Sequence, residues 1–517
     1  MNITDFAPST LASSVACLNC RDKHLKCDGN LASCSRCTSL NLSCHFVPSK
    51  RGRKTRHGPS TRISSRAMSQ ANVLSDELVG SGLLPSVDPL TLQQPQDAYS
   101  TFSFPGQNCS LISLYYLSFH KAHPFLPPME TFFRLNPPAF LINVIEFTSL
   151  HYLPGQILPD SDALLTSVQT ADLTFEKVQA FLLLAIALHG RQQPIEARSC
   201  LAQTIQGALE LGLHRRETSD AMHLPNPTQA ECLRRTWWEI VVTDVLLAAV
   251  QVDGALQCPI EILDVPLPCE QVEYDHGCTD IRLVTIADLE REGMLCDDNQ
   301  FSSFAYRVEA ALLLRKCLLA GKAHLAQEAL DAPSVTIASW FHKLPRSKRS
   351  VLDSTGRIDE MMLQALTLAQ CASIYLHFPR STLVAFLPIT SQIFCSQPDL
   401  FSSPSRDAQV HTAKVTSSAT SISKIAASAT GVANHTPFFA CVLNLSSIIQ
   451  LAVSTVEHVR LSSAEHPYLT LNIGILKDMG ETWPIAAHAV RSIRGVVREI
   501  QAATCTNQQL LDFPLTV

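Results

Sequence analysis

Six cysteines between residues 17 and 44 constrain the fold of this chain more than any other feature. They follow the spacing C-x2-C-x6-C-x6-C-x2-C-x6-C, so the second three repeat the pattern of the first three. The six are Cys17, Cys20, Cys27, Cys34, Cys37 and Cys44. So short a segment has little apolar core of its own. Regular thiol spacing therefore indicates a module that folds around metal ions.

The number of sulfur atoms predicts how many ions the module binds. All-thiolate tetrahedral sites suit zinc, and the spacing differs from that of ferredoxin clusters. Two tetrahedral ions need eight bonds, which six sulfurs supply only if two of them bridge both ions. We expect the first cysteine of each half, Cys17 and Cys34, to be the bridges. The remaining cysteines complete the two sites as pairs, Cys20 with Cys27 and Cys37 with Cys44. Three disulfides, or a thiol cluster that stores metal or senses redox state, are the alternatives.

Charge is distributed unevenly along the 517 residues. Residues 1–66 contain eleven Lys and Arg and three Asp, a formal charge of +8, which leaves −14 on the rest of a chain whose net charge is −6. A basic segment on an acidic body favours binding to a polyanion.

No secretory signal is visible, and the longest apolar runs, such as 178–188, are shorter than the roughly 18–20 residues of a membrane span. We therefore expect an intracellular protein with no membrane partner.

Composition divides the chain into segments. We predict a flexible N-terminus at 1–14, the cysteine module at 15–48, a basic then polar linker at 49–107, a helical domain at 108–345 and a C-terminal helical region at 346–517. Within the linker, Ala67, Ala71, Leu74 and Leu78 have the spacing of a short dimer zipper. That pattern covers at most two heptads, fewer than the three or four that are typical of coiled coils.

From residue 108 onward the apolar residues recur at helical spacing, and alternating strand patterns are scarce. Helices are predicted at 110–122, 176–190, 196–212, 229–250, 301–330, 358–377, 407–430, 436–458 and 482–504. The predicted fold class is therefore all-α. It comprises a small binuclear zinc cluster module, a flexible basic linker and a large α-helical regulatory domain.

The segment CLNCRDKHLKCDGNLASCSRCTSLNLSC resembles the binuclear zinc cluster (Zn2Cys6) DNA-binding domain of fungal transcription regulators. The resemblance implies two zinc ions and the same bridging pair. It also implies a short helix after the first cysteine pair that enters the major groove of double-stranded DNA, commonly at a CGG triplet.

The resemblance also implies which basic residues contact DNA. Lys23 and His24 occupy positions expected to contact base edges, whereas Arg21, Lys26 and Arg36 are better placed for phosphates. His24 stands where the family usually has Lys or Arg, and Ala32 where many members have proline.

A dense basic run, KRGRKTRHGPSTR (50–62), follows the cysteine module. Its candidate DNA-contacting residues are Lys50, Arg51, Arg53, Lys54 and Arg56. Such a run can follow phosphates beside the module and also resembles a nuclear-import signal, so the expected location is the nucleus. The alternative is that this basic run is solvated and binds neither DNA nor an import receptor.

Five segments of the body resemble the fungal-specific transcription factor domain, also called the middle homology region. They are LYYLSFHKAHPFLPP (114–128), VQAFLLLAIALHG (178–190), ALELGLHRR (208–216), ECLRRTWWEIVVTD (231–244) and VPLPCEQVEY (265–274). The likeness covers about 108–345 and, more faintly, 436–503. It implies a regulatory body, with a small-molecule effector or a coregulator as candidate partner. Homodimerisation is a further expectation.

Other conspicuous residues of the body are interpreted as structural. Trp237 and Trp238 are expected in the core. Arg234 and Arg235 are expected to form ion pairs with Glu231 and Glu239. The remaining cysteines are interpreted as core thiols, and the histidines are spaced too irregularly for a second metal site.

Motifs of catalysis are missing from the sequence. It contains no Gly-rich phosphate loop, no HExxH and no G-x-S-x-G, so an enzyme with a metal-binding head is the less favoured hypothesis. The sequence predicts a zinc-dependent, sequence-specific DNA-binding transcription factor. Its expected role is to regulate RNA polymerase II transcription of metabolic or biosynthetic genes through a G·C-rich, CGG-like element.

Overall fold

A computed structural model describes most of the chain after residue 107 and a set of residues around the cysteines. The described residues are 17, 20, 26–28, 34–40, 44, 108–251, 255–260, 264–278, 281–292, 301–322, 327–353, 355–386, 407–456 and 466–511. Contacts divide the chain into two compact units, Met1–Gln96 and Asp97–Val517. The predicted linker and zipper lie outside the described residues.

The first unit contains one described helix, α1, at Ser35–Ser39. Cys34 is its N-cap, and the Cys34 side chain accepts a hydrogen bond from the Cys37 backbone N–H. A thiol therefore fills the capping role that a Ser or Asp side chain usually has. The start of this helix is thus positioned by the same cysteine that is a candidate metal ligand.

The second unit is a bundle of helices. In chain order they are α2 Asn108–Leu117, α3 Met129–Arg134, α4 Ala139–Leu150, α5 Asp162–Thr170, α6 Phe175–Gly190, α7 Pro194–Glu210, α8 Arg216–His223, α9 Pro227–Val250, α10 Gln271–Asp275, α11 Ile286–Glu292, α12 Ser303–Lys322, α13 Gln327–Lys343, α14 Glu360–His377, α15 Ala408–Ser428, α16 Phe438–Val456, α17 Pro467–Met479 and α18 Pro484–Leu511. Among the described residues of this unit, the β structure is one isolated bridge between Leu352 and Ile358.

Local sequence explains where the central helices begin. Thr174 caps α6 by accepting from the Lys177 N–H, and Asn226 caps α9 by accepting from the Gln229 N–H. Pro227 occupies the first turn of α9, where its missing N–H leaves no helical bond unmade. Both helices then continue through apolar residues and are buried along most of their length.

Packing of a few long helices forms the core. The most extensive interface is between α12 and α14, and α6 pairs with α7 in the same way. Helix α9 packs against α12, while α16 contacts α15, α17 and α18. Each fully buried Leu or Ile side chain contributes about 1.5–3 kcal/mol through the hydrophobic effect. The stability of the body therefore depends on contacts between residues far apart in sequence.

The all-α prediction is confirmed, and most predicted helices occur near their expected bounds. Two predictions need correction. The first predicted helix, 110–122, ends at Leu117, since residues 118–126 form successive turns before Pro127. The predicted helix at 301–330 is two helices, because α12 ends at Lys322 and α13 runs from Gln327 to Lys343. The predicted helices do not include α3, α4, α5, α8, α10, α11 or α17.

Helix α16 is the one helix of 18 or more residues in the described ranges that is apolar enough to cross a membrane, with a mean hydropathy of 1.8. Of its most apolar stretch, 72% is buried within the body. Such burial is the pattern of a helix in the interior of a helical bundle.

Candidate metal centre

The thiol groups of the N-terminal unit converge on one point. Cys17, Cys20, Cys34 and Cys37 are each at most 1% exposed, and Cys27 and Cys44 are partly buried beside them. The Cys17 Sγ lies 3.7 Å from the Sγ atoms of both Cys34 and Cys37, and Cys20 Sγ lies 3.8 Å from Cys34 Sγ. These distances are far longer than the 2.05 Å of a disulfide bond, so the geometry does not support the disulfide alternative.

The six sulfur atoms form two overlapping groups of four. One group contains Cys17, Cys20, Cys27 and Cys34, and the other contains Cys17, Cys34, Cys37 and Cys44. Within each group all ligand atoms lie within 4.8 Å of one another. Cys17 and Cys34 are the two residues common to both groups. Among the residues that the structure describes, no other group of three or more His, Cys, Asp or Glu side chains has this arrangement.

The sulfur spacing fits tetrahedral zinc. With Zn–S bonds of about 2.3 Å, tetrahedral geometry places two sulfur ligands of one ion about 3.8 Å apart. The observed separations of 3.7 and 3.8 Å match that value. The donor set also fits, because thiolates are the ligands that structural zinc sites use. Each four-sulfur group can therefore hold one ion.

Backbone N–H groups stabilise the charged form of two of these thiols. The Cys37 N–H donates to Cys34 Sγ at 3.4 Å, and the Cys34 N–H donates to Cys44 Sγ at 3.2 Å. These hydrogen bonds lower the pKa of Cys34 and Cys44. In the first half, the Cys17 N–H donates to Cys27 Sγ at 3.5 Å across the same ten-residue separation. Since the thiolate is the form that binds metal, the backbone prepares the site for an ion.

Asp28 connects the two halves of the cysteine module. Its carboxylate accepts hydrogen bonds from the Ser35 backbone N–H at 3.1 and 3.2 Å, and also from the Ser35 hydroxyl. This places a negative charge at the N-terminus of α1, where the helix dipole favours it. Asp28 was not recognised in the sequence as a functional residue. Its position seven residues before the first residue of α1 gives no local capping signal.

Two of the predicted DNA-contacting residues are described, and both are accessible. Lys26 and Arg36 have exposed side chains, and Arg36 lies on α1. The others lie outside the described residues, namely Arg21, Lys23, His24, Lys50, Arg51, Arg53, Lys54 and Arg56. Thus the structure shows positive charge at the surface of the module at the two positions that it describes.

Within the helical body, the conspicuous residues of α9 are buried. Trp237 and Trp238 are 1% and 0% exposed, which confirms the prediction that they belong to the core. The Glu231 carboxylate accepts from Arg234 Nε at 3.0 Å and from Arg235 Nε at 2.8 Å. The predicted ion pairs with Glu231 are therefore present, whereas Glu239, the second glutamate of that prediction, pairs with Arg307 and His123 instead.

Glu239 has partners that the sequence did not reveal. Arg307 binds both of its carboxylate oxygens, at 2.5 and 2.8 Å, and His123 Nδ1 lies 2.7 Å from Oε1. His123 Nε2 lies 3.0 Å from the Thr436 hydroxyl. Burial raises the pKa of Glu239, but Arg307 and His123 outweigh burial and lower it to about 2. This fully buried network joins four separate parts of the body.

Comparison with known proteins agrees with this geometry. Residues 15–54 match the fungal Zn(2)-Cys(6) binuclear cluster domain, and residues 112–284 match the fungal specific transcription factor domain. The C6 finger domain transcription factor iacK of Pestalotiopsis fici is 27% identical over 558 residues, an alignment that covers 96% of this chain and 81% of that protein. No solved structure matches the chain.

The binuclear cluster domain precedes the fungal specific transcription factor domain in the chain. The alignment with iacK extends along nearly the whole chain. The binuclear cluster domain binds two zinc ions, in agreement with the two four-sulfur groups. These findings indicate a transcription factor and no class of enzyme. The chain thus combines a match to the binuclear zinc cluster domain with a match to the fungal specific transcription factor domain, and these matches support a fungal transcription factor of the Zn2Cys6 kind.

Proposed function

We propose that this transcription factor regulates RNA polymerase II transcription of metabolic or biosynthetic genes by reading a G·C-rich, CGG-like DNA element. The observation that carries the proposal is the convergence of six sulfur atoms into two four-sulfur groups that share Cys17 and Cys34. A head that is ordered in this way can present a short basic helix to the major groove.

Within this proposal each cysteine has a defined role. Cys17 and Cys34 bridge the two zinc ions. Cys20 and Cys27 complete one site, and Cys37 and Cys44 complete the other. The similar distances from Cys17 Sγ to Cys37 Sγ, 3.7 Å, and from Cys34 Sγ to Cys20 Sγ, 3.8 Å, support this assignment.

The basic residues divide into two kinds of DNA contact. Lys23 and His24 contact base edges, while Arg21, Lys26 and Arg36 contact phosphates, together with the basic run at Lys50, Arg51, Arg53, Lys54 and Arg56. The exposed side chains of Lys26 and Arg36 support the phosphate role. Phosphate contacts increase affinity for all sequences and make binding sensitive to salt, whereas base contacts select the element.

The remaining parts of the proposal concern location and regulation. The basic run at 50–62 directs the protein to the nucleus. The helical body regulates transcriptional output in response to a small-molecule effector or a coregulator, and the protein acts on paired DNA half-sites as a homodimer. An extensive helical body with one continuous core supports a regulatory role, because changes at one place can alter packing elsewhere.

Binding-site selection from a random DNA library tests this function. The full-length zinc-loaded protein is compared with a Cys34→Ala variant, and Arg36→Ala is compared with Arg494→Ala, an exposed arginine on α18. We expect one G·C-rich motif for wild type and none for Cys34→Ala. Arg36→Ala should weaken binding to all sequences and reduce the slope of affinity against salt by about one ion, whereas Arg494→Ala should change neither.

Two results would contradict the proposal. One is the absence of an enriched motif for the zinc-loaded wild-type protein. The other is enrichment of the same motif by Cys34→Ala after the zinc has been removed, which would show that DNA reading is independent of the cluster.

A further inference from the structure

The helical body contains a cavity of about 310 Å³. It lies where the C-terminal ends of α6 and α9 meet α14, α16 and α18, and Gln192 and Pro194 are exposed at its edge. Its volume corresponds to that of on the order of ten water molecules in the liquid. Small-molecule sites in proteins begin at about this size, and they occur frequently between helices of a bundle.

The lining is mostly apolar and carries no formal charge at neutral pH. Leu445, Ile448, Ile485 and Val250 are among its apolar residues, and no Asp, Glu, Lys or Arg lines it. Burial lowers the pKa of His189 to about 3 and also lowers the pKa of His488, so both imidazoles are neutral. A charged ligand would lose its hydration here without gaining an ionic partner, which is strongly unfavourable. The lining therefore selects neutral compounds.

One lining residue has an unmet hydrogen-bonding requirement. Asn444 is 9% exposed, and its side-chain oxygen Oδ1 has no hydrogen-bond partner. A buried amide oxygen without a partner costs about 1–3 kcal/mol relative to one that is paired. Oδ1 is itself buried, so a ligand donor reaches it once the Asn444 amide turns toward the cavity, and the hydrogen bond would then remove that penalty.

An apolar extension adjoins the cavity. A smaller pocket of about 20 Å³ shares Val250, Tyr375, Cys441 and Leu445 with it and continues among Leu246, Leu314 and Leu368. The extension is entirely apolar apart from Tyr375, whose hydroxyl donates to the Ala249 carbonyl. The site thus combines uncharged polar side chains, among which Asn444 has an unpaired oxygen, with an adjoining apolar extension.

The elements around the cavity come from both ends of the body. His189 and Val250 lie within residues 112–284, which match the fungal specific transcription factor domain, whereas Asn444 on α16 and Ala489 on α18 lie beyond it. An occupant therefore contacts both parts at once. Its binding would favour the arrangement in which these helices are close together.

We propose that this cavity binds a neutral, largely apolar small molecule whose hydrogen-bond donor is directed at Asn444 Oδ1. The inference rests on the proposed regulatory role of the helical body and is independent of the DNA element that the head reads. It specifies the chemistry of the effector, namely an uncharged compound with an apolar body and an N–H or O–H group.

Fluorescence titration of the full-length zinc-loaded protein tests the proposal. The probe is N-phenyl-1-naphthylamine, which is neutral, apolar and carries one N–H donor. The control probe is 8-anilinonaphthalene-1-sulfonate, which has a similar aromatic body and a negative charge. We expect saturable binding of the neutral probe at one site per chain, and at least tenfold weaker binding of the anionic one.

Two lining variants locate the site. Asn444→Leu removes the acceptor and should lower the affinity for the neutral probe about tenfold. It should also raise the melting temperature, because an unpaired buried oxygen is removed. Ala489→Phe fills the cavity and should abolish probe binding while the helical circular dichroism is retained. Asn472→Leu is the matched control, because the Asn472 amide donates to Ser446 and Ser447 and does not line the cavity. It should lower the melting temperature and leave the probe affinity unchanged.

The proposal is overturned if the neutral probe shows no saturable binding, if the anionic probe binds equally well, or if neither lining variant affects binding. DNA binding is measured on the same preparations. If the protein binds the probe but selects no DNA element, the proposed function is contradicted and the proposed ligand site is not. If it selects a DNA element but does not bind the probe, only the proposed ligand site is contradicted.

Discussion

The Sγ atoms of Cys17 and Cys34 lie 3.7 Å apart, and both residues belong to both four-sulfur groups. The other four cysteines belong to one group each. This difference in membership makes the two classes of cysteine distinguishable by experiment, because in the proposed assignment a shared sulfur is a ligand of two ions and an unshared sulfur is a ligand of one.

Zinc stoichiometry should therefore depend on which cysteine is removed. Cys34→Ala should lower the zinc content from two ions per chain to fewer than one, since both ions lose a ligand. Cys27→Ala should leave more zinc bound than Cys34→Ala, because the group of Cys17, Cys34, Cys37 and Cys44 keeps all four sulfurs. Elemental analysis by mass spectrometry of the purified full-length chains measures this. Equal zinc loss in the two variants would refute the distinction between bridging and terminal cysteines.

Removal of the Asp28 carboxylate should weaken the metal module without abolishing it. Asp28→Ala removes the acceptor for the Ser35 N–H and hydroxyl at the start of α1, a capping loss of about 1 kcal/mol. We expect faster zinc transfer to a competing chelator, by several-fold. Asp28→Asn retains one oxygen acceptor and is the control, with an intermediate rate. If Asp28→Ala and wild type release zinc at the same rate, the connection between the two halves is unimportant for metal retention.

The Glu239 network should be a principal determinant of the stability of the body. Glu239→Gln leaves the fully buried Arg307 guanidinium without a charged partner, which costs about 3–5 kcal/mol in the free energy of unfolding. All four tryptophans of the chain lie in the body, so their fluorescence during urea unfolding reports on this unit alone.

A matched surface pair provides the control for that measurement. The side chains of Glu130 and Arg134 are 87% and 73% exposed and lie 3.6 Å apart, so Glu130→Gln should change stability by less than about 1 kcal/mol. The double variant Glu239→Gln with Arg307→Met should recover part of the loss, because it also removes the unpaired charge. Similar effects of Glu239→Gln and Glu130→Gln would show that the network contributes little.

Two glycines in helices should respond to alanine in opposite directions. A Cβ atom at Gly190 would lie 2.4 Å from the ring of Trp483, which is completely buried, so Gly190→Ala should destabilise the body by about 1–3 kcal/mol. A Cβ atom at Gly474 on α17 meets nothing within 4 Å, so Gly474→Ala should stabilise it by about 0.5–1 kcal/mol. Thermal unfolding of the two variants measures both effects. A Gly190→Ala protein as stable as wild type would contradict the close packing of α6 against Trp483.

Stability should fall as the pH is lowered, through two contributions that begin at different pH values. Burial lowers the pKa of His120 and of His189 to about 3, so these imidazoles stay neutral in the folded state while they are protonated in the unfolded chain below about pH 6.5. Since the unfolded state then binds more protons, stability is fully present above pH 6.5 and is lost as the pH falls toward 3. Glu239, with its pKa lowered to about 2, adds a loss that begins only below about pH 4.5.

Urea midpoints of tryptophan fluorescence between pH 7 and pH 4 test the histidine contribution. His189→Gln should reduce the slope of stability against pH between 6.5 and 4. His276→Gln replaces an exposed imidazole and should leave the slope unchanged. A wild-type protein whose stability is constant over this range would contradict neutral burial of these histidines.

The N-terminal module and the body differ in how far the sequence anticipates them. The cysteine spacing led to the two groups of four, because metal ligands within one short segment are close together whenever the segment folds around its ions. The helices of the body follow from local periodicity and caps, such as Thr174 before α6. Pairing of Arg234 and Arg235 with Glu231 was predictable too, since residues three and four apart share a helix face.

Contacts between residues far apart in the chain could not be predicted from the sequence. Glu239 lies 68 residues from Arg307 and 116 from His123, and no periodic pattern relates residues at such distances. The same holds for the cavity beside Asn444, whose walls come from six helices. The helix boundary between α12 and α13 was missed because continuous apolar spacing does not mark a break.

The sequence by itself determined the chemistry of the metal module and the all-helical class of the body. Both depend on interactions between residues close together in the chain, which spacing alone records. Only the tertiary structure decided which distant buried charges neutralise one another and where a cavity lies between the helices of the body. These depend on how distant segments pack, and packing is a property of the whole folded chain.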